Sequence, residues 1–211
     1  MCIPLGIFSA LHHNRFQDRI ISLCSYAGLS LPSFFVALIF LYLASITGIL
    51  PLGGMHSVKF ETFSTGAKIL DILKHLVIPA VVLSLAPISY LQRIMRSSIL
   101  EEMDKPYVRV LIAKGLSFSR IMYIHVLRNA LNPLITIFGY QIASLLSGAA
   151  LVEIICGWPG LGQVMLNAVR AQDLYLVMGA VLMSGMLLII GNLIADILLA
   201  FADPRIRYRK V

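Results

Sequence analysis

The chain has 211 residues, 59% hydrophobic and 13% charged, with a mean hydropathy of +0.89 and a formal net charge of +7. A soluble domain is about 25% charged, and a fold of this size cannot hide so much apolar surface from water, which excludes an ordinary soluble globular protein. The solvent is lipid, and the basic excess needs no nucleic acid once its distribution along the chain is followed.

Met1–Leu11 is apolar but too short to cross a bilayer. It has neither a basic n-region nor a small-residue cleavage site, so it is a poor signal peptide. It reads as the tail of a spanning helix or as a short interfacial anchor. Residues 12–23 form a cytoplasmic link. The stretches Ser30–Ile49, Leu76–Gln92, Asn129–Val152 and Leu174–Ala195 contain no charged residue. They predict four spans at about 28–50, 73–95, 130–152 and 174–200. The first ends at Pro51, with Gly53-Gly54 as a turn signal. Pro79 and Pro87 are expected to kink the second. Asp203-Pro204 ends the fourth. Residues 51–72 and 153–173 are then external loops, and 96–128 is cytoplasmic.

The basic residues alternate with these loops. Arg15 and Arg19 precede the first span; Arg93, Arg96, Lys105, Arg109, Lys114, Arg120 and Arg128 lie between the second and third; Arg205, Arg207, Arg209 and Lys210 form the tail. The other two loops hold only Lys59, Lys68, Lys74 and Arg170. Lysine and arginine stay on the cytoplasmic side, which places the 93–128 loop and the C-terminus there.

Gly139, Ala143 and Ser147 recur every four residues on the third span. Such spacing lets a second helix approach closely, either a partner subunit's or one of this chain. Asp196 lies near the cytoplasmic end of the fourth span, one turn after Asn192; it calls for a partner or for water access. Glu153, at the outer end of the third span, is open to the same two readings.

The loop between the second and third spans is a jointed, basic element. Asp104 is placed to cap a helix that has Pro106 in its first turn. Val108, Leu111 and Ile112 share one face of that helix. Gly115 ends it as a left-handed glycine, and Ser117 opens a second helix carrying Ile121, Ile124 and Leu127. This pair either rests on anionic headgroups or docks on a cytoplasmic protein.

The run "YVRVLIAKGLSFSRIMYIHVLRNALNPLIT" resembles the cytoplasmic signature loop, the EAA loop, of ABC-importer permeases of the dipeptide, oligopeptide and nickel family. Tyr107, Val108, Arg109, Ala113, Lys114, Gly115 and Leu116 match it, as do His125, Leu127, Arg128, Asn129, Ala130, Leu131 and Pro133. Val110, Leu111 and Ile112 depart from it, standing where the family usually reads T-A-R, and make the first helix more apolar. "GLSLPSFFVALIF", "RSSILEEMDKPYVR", "WPGLGQVMLNAVRAQD" and "DPRIRY" extend the resemblance in order over nearly the whole chain.

The resemblance implies an all-α integral membrane protein of about four full spans plus a partial N-terminal one. It implies a single permease domain over 1–211, corresponding to the C-terminal two-thirds of a typical member, with a coupling loop at 101–128. It implies a multi-pass subunit of the bacterial inner membrane, C-terminus cytoplasmic, for peptides, nickel or other small solutes. A second permease (as a heterodimer), two cytoplasmic ATP-binding subunits and an extracytoplasmic substrate-binding protein are the implied partners. The expected contacts with the ATPase are Tyr107, Arg109, Leu111, Ala113, Lys114, Gly115, Leu116, Ser117, Arg120, His125, Arg128, Asn129 and Pro133. Arg109, Lys114 and Arg120 would carry the charge, Gly115 the bend, and Leu111 with Leu116 the apolar seat. Trp158, Pro159, Gly160, Leu161 and Gly162 read as an external gate, a seat for the binding protein, or an interfacial anchor.

Catalysis and cofactors are not expected from this chain. It lacks a G-x-x-x-x-G-K-[ST] phosphate loop, so ATP and Mg belong to partner subunits. Its five histidines lack H-E-x-x-H spacing, and no G-x-S-x-G turn occurs. Cys2, Cys24 and Cys156 have no metal or redox spacing. An intramembrane enzyme would need facing carboxylates or histidines, which only Asp196 approaches, and a secondary carrier would show related halves. The alternatives left are an inactive, N-terminally truncated remnant of such a permease and a non-ABC carrier.

Overall fold

A computed structural model of the chain describes residues 1–135, 137, 141 and 150–202. The described residues are helical or irregular, with no strand. Gly139, Ala143 and Ser147, most of the expected third span and the tail from Asp203 lie outside them. Two helices, Thr65–Met103 and Leu174–Ile194, are long and apolar enough to cross a membrane, and the adjacent pair Phe16–Ser30 and Ser33–Thr47 makes a third if counted as one broken span.

That break corrects the uninterrupted span expected at 28–50. Helix α1 covers Cys2–Leu11, α2 Phe16–Ser30 and α3 Ser33–Thr47. Pro32 is the N-cap of α3 with extended backbone, φ −59° and ψ 138°. A proline disfavours helical geometry at the preceding residue, here Leu31, and the chain breaks there between α2 and α3, whereas Pro79 and Pro87 are accommodated within the helix Thr65–Met103. Helix α3 ends at Gly48, left-handed at φ +64°, whose N–H returns to the Ala44 carbonyl.

The expected 73–95 span is part of a much longer helix. Helix α4 runs unbroken from Thr65 to Met103, 39 residues, through Pro79 and Pro87. At 1.5 Å per residue it is about 58 Å long, roughly twice a bilayer's hydrocarbon thickness. Its ends therefore carry the fold into water.

The chain divides into two units by its internal contacts. The first includes residues 1–29 and 87–135. Leu91, Met95 and Ile99 recur every four residues on α4 and meet a second stripe, Met122, Val126, Ala130 and Leu134. Helix α1 crosses α4 closely: a Cβ on Gly6 would lie 2.6 Å from that of Met95. Polar groups lock the same helices together. Asp18, 3% exposed, accepts two bonds from Arg96, Nε to Oδ1 at 2.7 Å and Nη2 to Oδ2 at 2.8 Å, and further bonds from the Ser9 hydroxyl and the Asn14 N–H. Arg96 Nη2 also donates to His13 Nδ1.

The second unit includes residues 30–86 and 150–189. Val36, Ala37 and Ala44 of α3 bury against Ile78 and Val82 of α4 and against Val152 and Cys156 of helix α7, Ala150–Cys156. The segment expected to be an external loop at 153–173 holds the end of α7 and a further helix, α8, Leu161–Arg170. The last helix, α9, covers Leu174–Ala202. Its apolar side chains, Leu182 and Ile189 among them, are largely exposed, as a lipid-facing helix requires. Asp196 is exposed on it and Asn192 half-buried.

Asp18 is deeply buried and depends on Arg96 for its charge, so Arg96→Ala leaves an unpaired carboxylate inside the first unit. It is expected to cost about 3 kcal/mol and to lower the melting temperature in detergent by several degrees; a melting curve identical to wild type would contradict this.

Candidate functional site

The elbow after α4 is built from short-range backbone rules. Helix α5 spans Pro106–Ala113, with Pro106 as its first residue. Its N-cap is Lys105, extended at ψ 145°, and not Asp104 as expected. The backbone N–H of Asp104 still bonds back to the Leu100 carbonyl, so it closes α4 rather than opening α5. At the far end Gly115 is left-handed at φ +77°. Its N–H reaches the Ile112 carbonyl at 2.9 Å and that of Leu116 the Leu111 carbonyl at 3.3 Å. This is the Schellman closure, which needs a residue tolerant of positive φ.

Ser117 then stands at the N-cap of the next helical run, with extended backbone and no side-chain cap bond. The run, α6, joins Phe118–Arg120, a π-helical turn at Ile121–Val126 and Leu127–Ala130 without interruption. The wider π turn brings Ile121 and Val126, five residues apart, onto one buried face with Met122.

One carboxylate ties this elbow to α4. Glu102, 8% exposed, accepts from Tyr107 Oη at 2.9 Å, from Lys105 Nζ and from Asn129 Nδ2 at 3.4 Å. Asn129 also reaches the Tyr107 hydroxyl at 3.4 Å. Tyr107 and Asn129, 22 positions apart, are thus brought together by a residue that sequence reasoning passed over. The Glu102 bond holds the Lys105 ammonium above its ordinary pKa, and burial raises that of the Tyr107 hydroxyl.

The remaining predicted residues divide by exposure. Arg109, Ala113, Lys114, Gly115, Ser117, Arg120, Arg128 and Pro133 are exposed, and His125 is half-buried. None of the four basic residues pairs with an acidic group among the described residues. Leu111 and Leu116, the expected apolar seat, are half-buried and pack against the chain's own core. Val110, Ile112 and Phe118 face outward, each slightly more than half exposed. Ile112 and Phe118 also rim an apolar cavity of about 80 Å³ floored by Val108, Ile121 and Met122.

The glycine turn at Gly157 has the same closure. Gly157 is left-handed at φ +62°, its N–H bonds to the Ile154 carbonyl at 3.2 Å, and that of Trp158 to the Glu153 carbonyl at 2.8 Å. The Gly54 N–H docks on the Cys156 carbonyl at 2.8 Å. The Glu153 carboxylate accepts from the backbone N–H groups of Gly162, at 2.8 Å, and Gln163, at 3.3 Å, capping the start of α8. A Cβ on Gly160 would collide with that carboxylate, and one on Gly162 with Ala150. Trp158 and Leu161 are half-buried and Pro159 exposed. Among the described residues no group of three His, Cys, Asp or Glu side chains is placed to hold a metal ion.

The model of the family described as "binding-protein-dependent transport system inner membrane component" matches residues 2–208. The chain is 40% identical over 207 residues to the oligopeptide transport system permease protein AppB of Bacillus subtilis, covering 98% of this chain and 64% of that protein. It is 36% identical to the di/tripeptide transport system permease protein DppB of Pseudomonas aeruginosa, over 97% of this chain and 65% of that protein. It is 32% identical to the dipeptide transport system permease protein DppB of Escherichia coli K12, over 99% of this chain and 66% of that protein. The chain therefore spans about two-thirds of the length of the relatives it matches.

Two substitutions separate the roles read here. Glu102→Ala removes the acceptor shared by Lys105, Tyr107 and Asn129 and is expected to speed proteolysis at 104–117 in detergent; an unchanged cleavage rate would contradict the tie. Gly162→Ala is expected to cost about 1–3 kcal/mol through its clash with Ala150. Gly115→Ala, which meets no atom within 4 Å, costs only about 1 kcal/mol for its positive φ. Thermal melts that reversed this order would count against the packing described.

Proposed function

The chain belongs to the family of binding-protein-dependent transport inner membrane components, and on that premise we propose that it is a membrane-spanning permease subunit of an ATP-driven importer of peptides. Its spans at about 73–95 and 174–200, with a third across α2–α3 and a fourth between 130 and 152, form part of the path. Peptides are the favoured cargo because the three relatives named above are peptide permeases by name. A second permease completes the pore, an extracytoplasmic protein delivers substrate, and two cytoplasmic subunits bind and hydrolyse ATP with Mg.

The observation that carries this reading is the elbow at Gly115. A useful coupling element must be stiff, exposed and tied to a spanning helix. The Schellman closure provides stiffness. Arg109, Lys114 and Arg120 have no acidic partner among the described residues and lie beside outward-facing Val110, Ile112 and Phe118. The Glu102 network and the Val108 contact fasten the element to the end of α4. A closing ATPase that grips such a knob moves α4 with it.

The basic residues support the orientation. Arg15, Arg19, Arg93, Arg96 and the elbow's cations all belong to the first unit, whereas Lys59, Lys68, Lys74 and Arg170 belong to the second. On this reading the arginine- and lysine-rich stretches at 15–19 and 93–128 face the cytoplasm. Trp158 and the turn that follows it lie on the external side, where α8 with its Glu153 cap offers a stiff seat for the binding protein.

Gly115→Pro is expected to leave membrane insertion intact and to uncouple ATP hydrolysis from uptake, lowering peptide transport by at least tenfold. It forces φ negative and deletes the N–H that bonds Ile112. Gly115→Asp, which tolerates positive φ better, is expected to be milder. Transport assays in cells with the complete operating assembly check this, and wild-type uptake by Gly115→Pro would overturn the coupling role.

A further inference from the structure

Helices α2 and α4 enclose a groove of about 310 Å³ within the first unit. Ser22 and Tyr26 line it from α2, and Tyr90, Arg93, Arg96 and Ser97 from α4. The spacing on each helix, i to i+4 on α2 and i, i+3, i+7 on α4, puts these side chains on the facing stripes. Two guanidinium groups and four hydroxyls are thus concentrated in one place.

The charges are not equivalent. Arg96 is neutralised by the two hydrogen bonds it donates to the Asp18 carboxylate. Arg93 has no acidic partner among the described residues and lies over the Tyr26 ring, its guanidinium carbon 4.3 Å from the centroid. Stacking uses the face of the guanidinium and leaves its edge N–H groups free for a bidentate acceptor. The hydroxyls of Ser22, Tyr90 and Ser97 make no hydrogen bond to another described residue. The groove therefore holds one uncompensated cation, fixed in orientation, with unused donors around it.

On the reading above, Arg93 and Arg96 stand where the expected 73–95 span meets the cytoplasmic surface, the depth of phospholipid headgroups. We propose that this groove is a binding site for the phosphate diester of an anionic phospholipid, with Arg93 as the bidentate donor and Ser22, Tyr90 and Ser97 completing the shell. Basic pockets between helices at the cytoplasmic face suit such headgroups. Occupied, the site would fasten α2 to α4 one turn or two above the elbow's tie at Glu102. The proposal rests on the membrane orientation of the proposed function but not on ATP coupling.

The test uses the 211-residue chain purified from membranes in dodecyl maltoside. Native mass spectrometry counts bound lipid after addition of dihexanoyl phosphatidylglycerol, dihexanoyl phosphatidylcholine or inorganic phosphate. The phosphatidylglycerol is expected to be retained preferentially, and Arg93→Ala to lower its retention about fivefold, the factor for one basic side chain at an anionic surface. If Arg93→Ala does not survive purification, the Ser22→Ala, Tyr90→Phe pair leaves the core intact and is expected to weaken retention as well. Equal retention of the two lipids, an unaffected preference in the variants, or displacement by equimolar inorganic phosphate, which would make this a free-anion site, each overturns the proposal. Co-purification of an ATPase is scored separately, so loss of the transport reading and loss of the lipid site are distinguishable.

Discussion

The buried carboxylate of Glu102 is the interaction on which the rest depends. It gathers a lysine from the turn, a tyrosine from α5 and an asparagine from α6, and so joins the end of a spanning helix to both arms of the elbow. Without it the elbow would be a basic tether on a swivel, able to bind a partner but unable to transmit a displacement. The apolar stripe formed by Leu91, Met95 and Ile99 continues the same connection into α4. The elbow is thereby packed onto a helix long and apolar enough to cross a membrane.

Two left-handed glycines repeat one solution at different places. Gly115 and Gly157 each close a helix with the same pair of backbone bonds. Each also fixes the direction of the chain entering the next helix: α6 in one case, α8 in the other. The turn at Gly157 adds Glu153 as a cap and uses Gly160 and Gly162 to admit it, so these glycines serve close packing rather than flexibility. A turn built this way is stiff, in keeping with a contact surface for a second protein.

The parts legible in the sequence were those governed by local rules. Pro106 and Gly115 announce helix ends wherever they occur, and uncharged runs announce lipid. Glu102 is hidden because the sequence does not separate it from the exposed Glu101; the distinction comes from the fold, which turns Lys105, Tyr107 and Asn129 onto it. The family resemblance names Leu111 and Leu116 as an apolar seat, but periodicity does not say which way a helix face points. Both are half-buried against the chain's own core, while Val110, Ile112 and Phe118 are exposed. Pro32 was overlooked within an apolar run, although its effect on Leu31 breaks that run. Helix α8 was read as loop because it is ten residues long and opens among glycines.

The account claims above all that the elbow faces the cytoplasm and is held by an ATP-hydrolysing subunit. Site-directed cross-linking measures this directly: a cysteine placed at Ile112, with Cys2, Cys24 and Cys156 replaced by serine, is probed in membranes carrying the complete assembly. The account predicts labelling only from the cytoplasmic side and a cross-link to an ATP-binding subunit whose yield changes when ATP is added. Labelling by an impermeant thiol reagent from outside the cell, or no cross-link to any nucleotide-binding subunit, would contradict it.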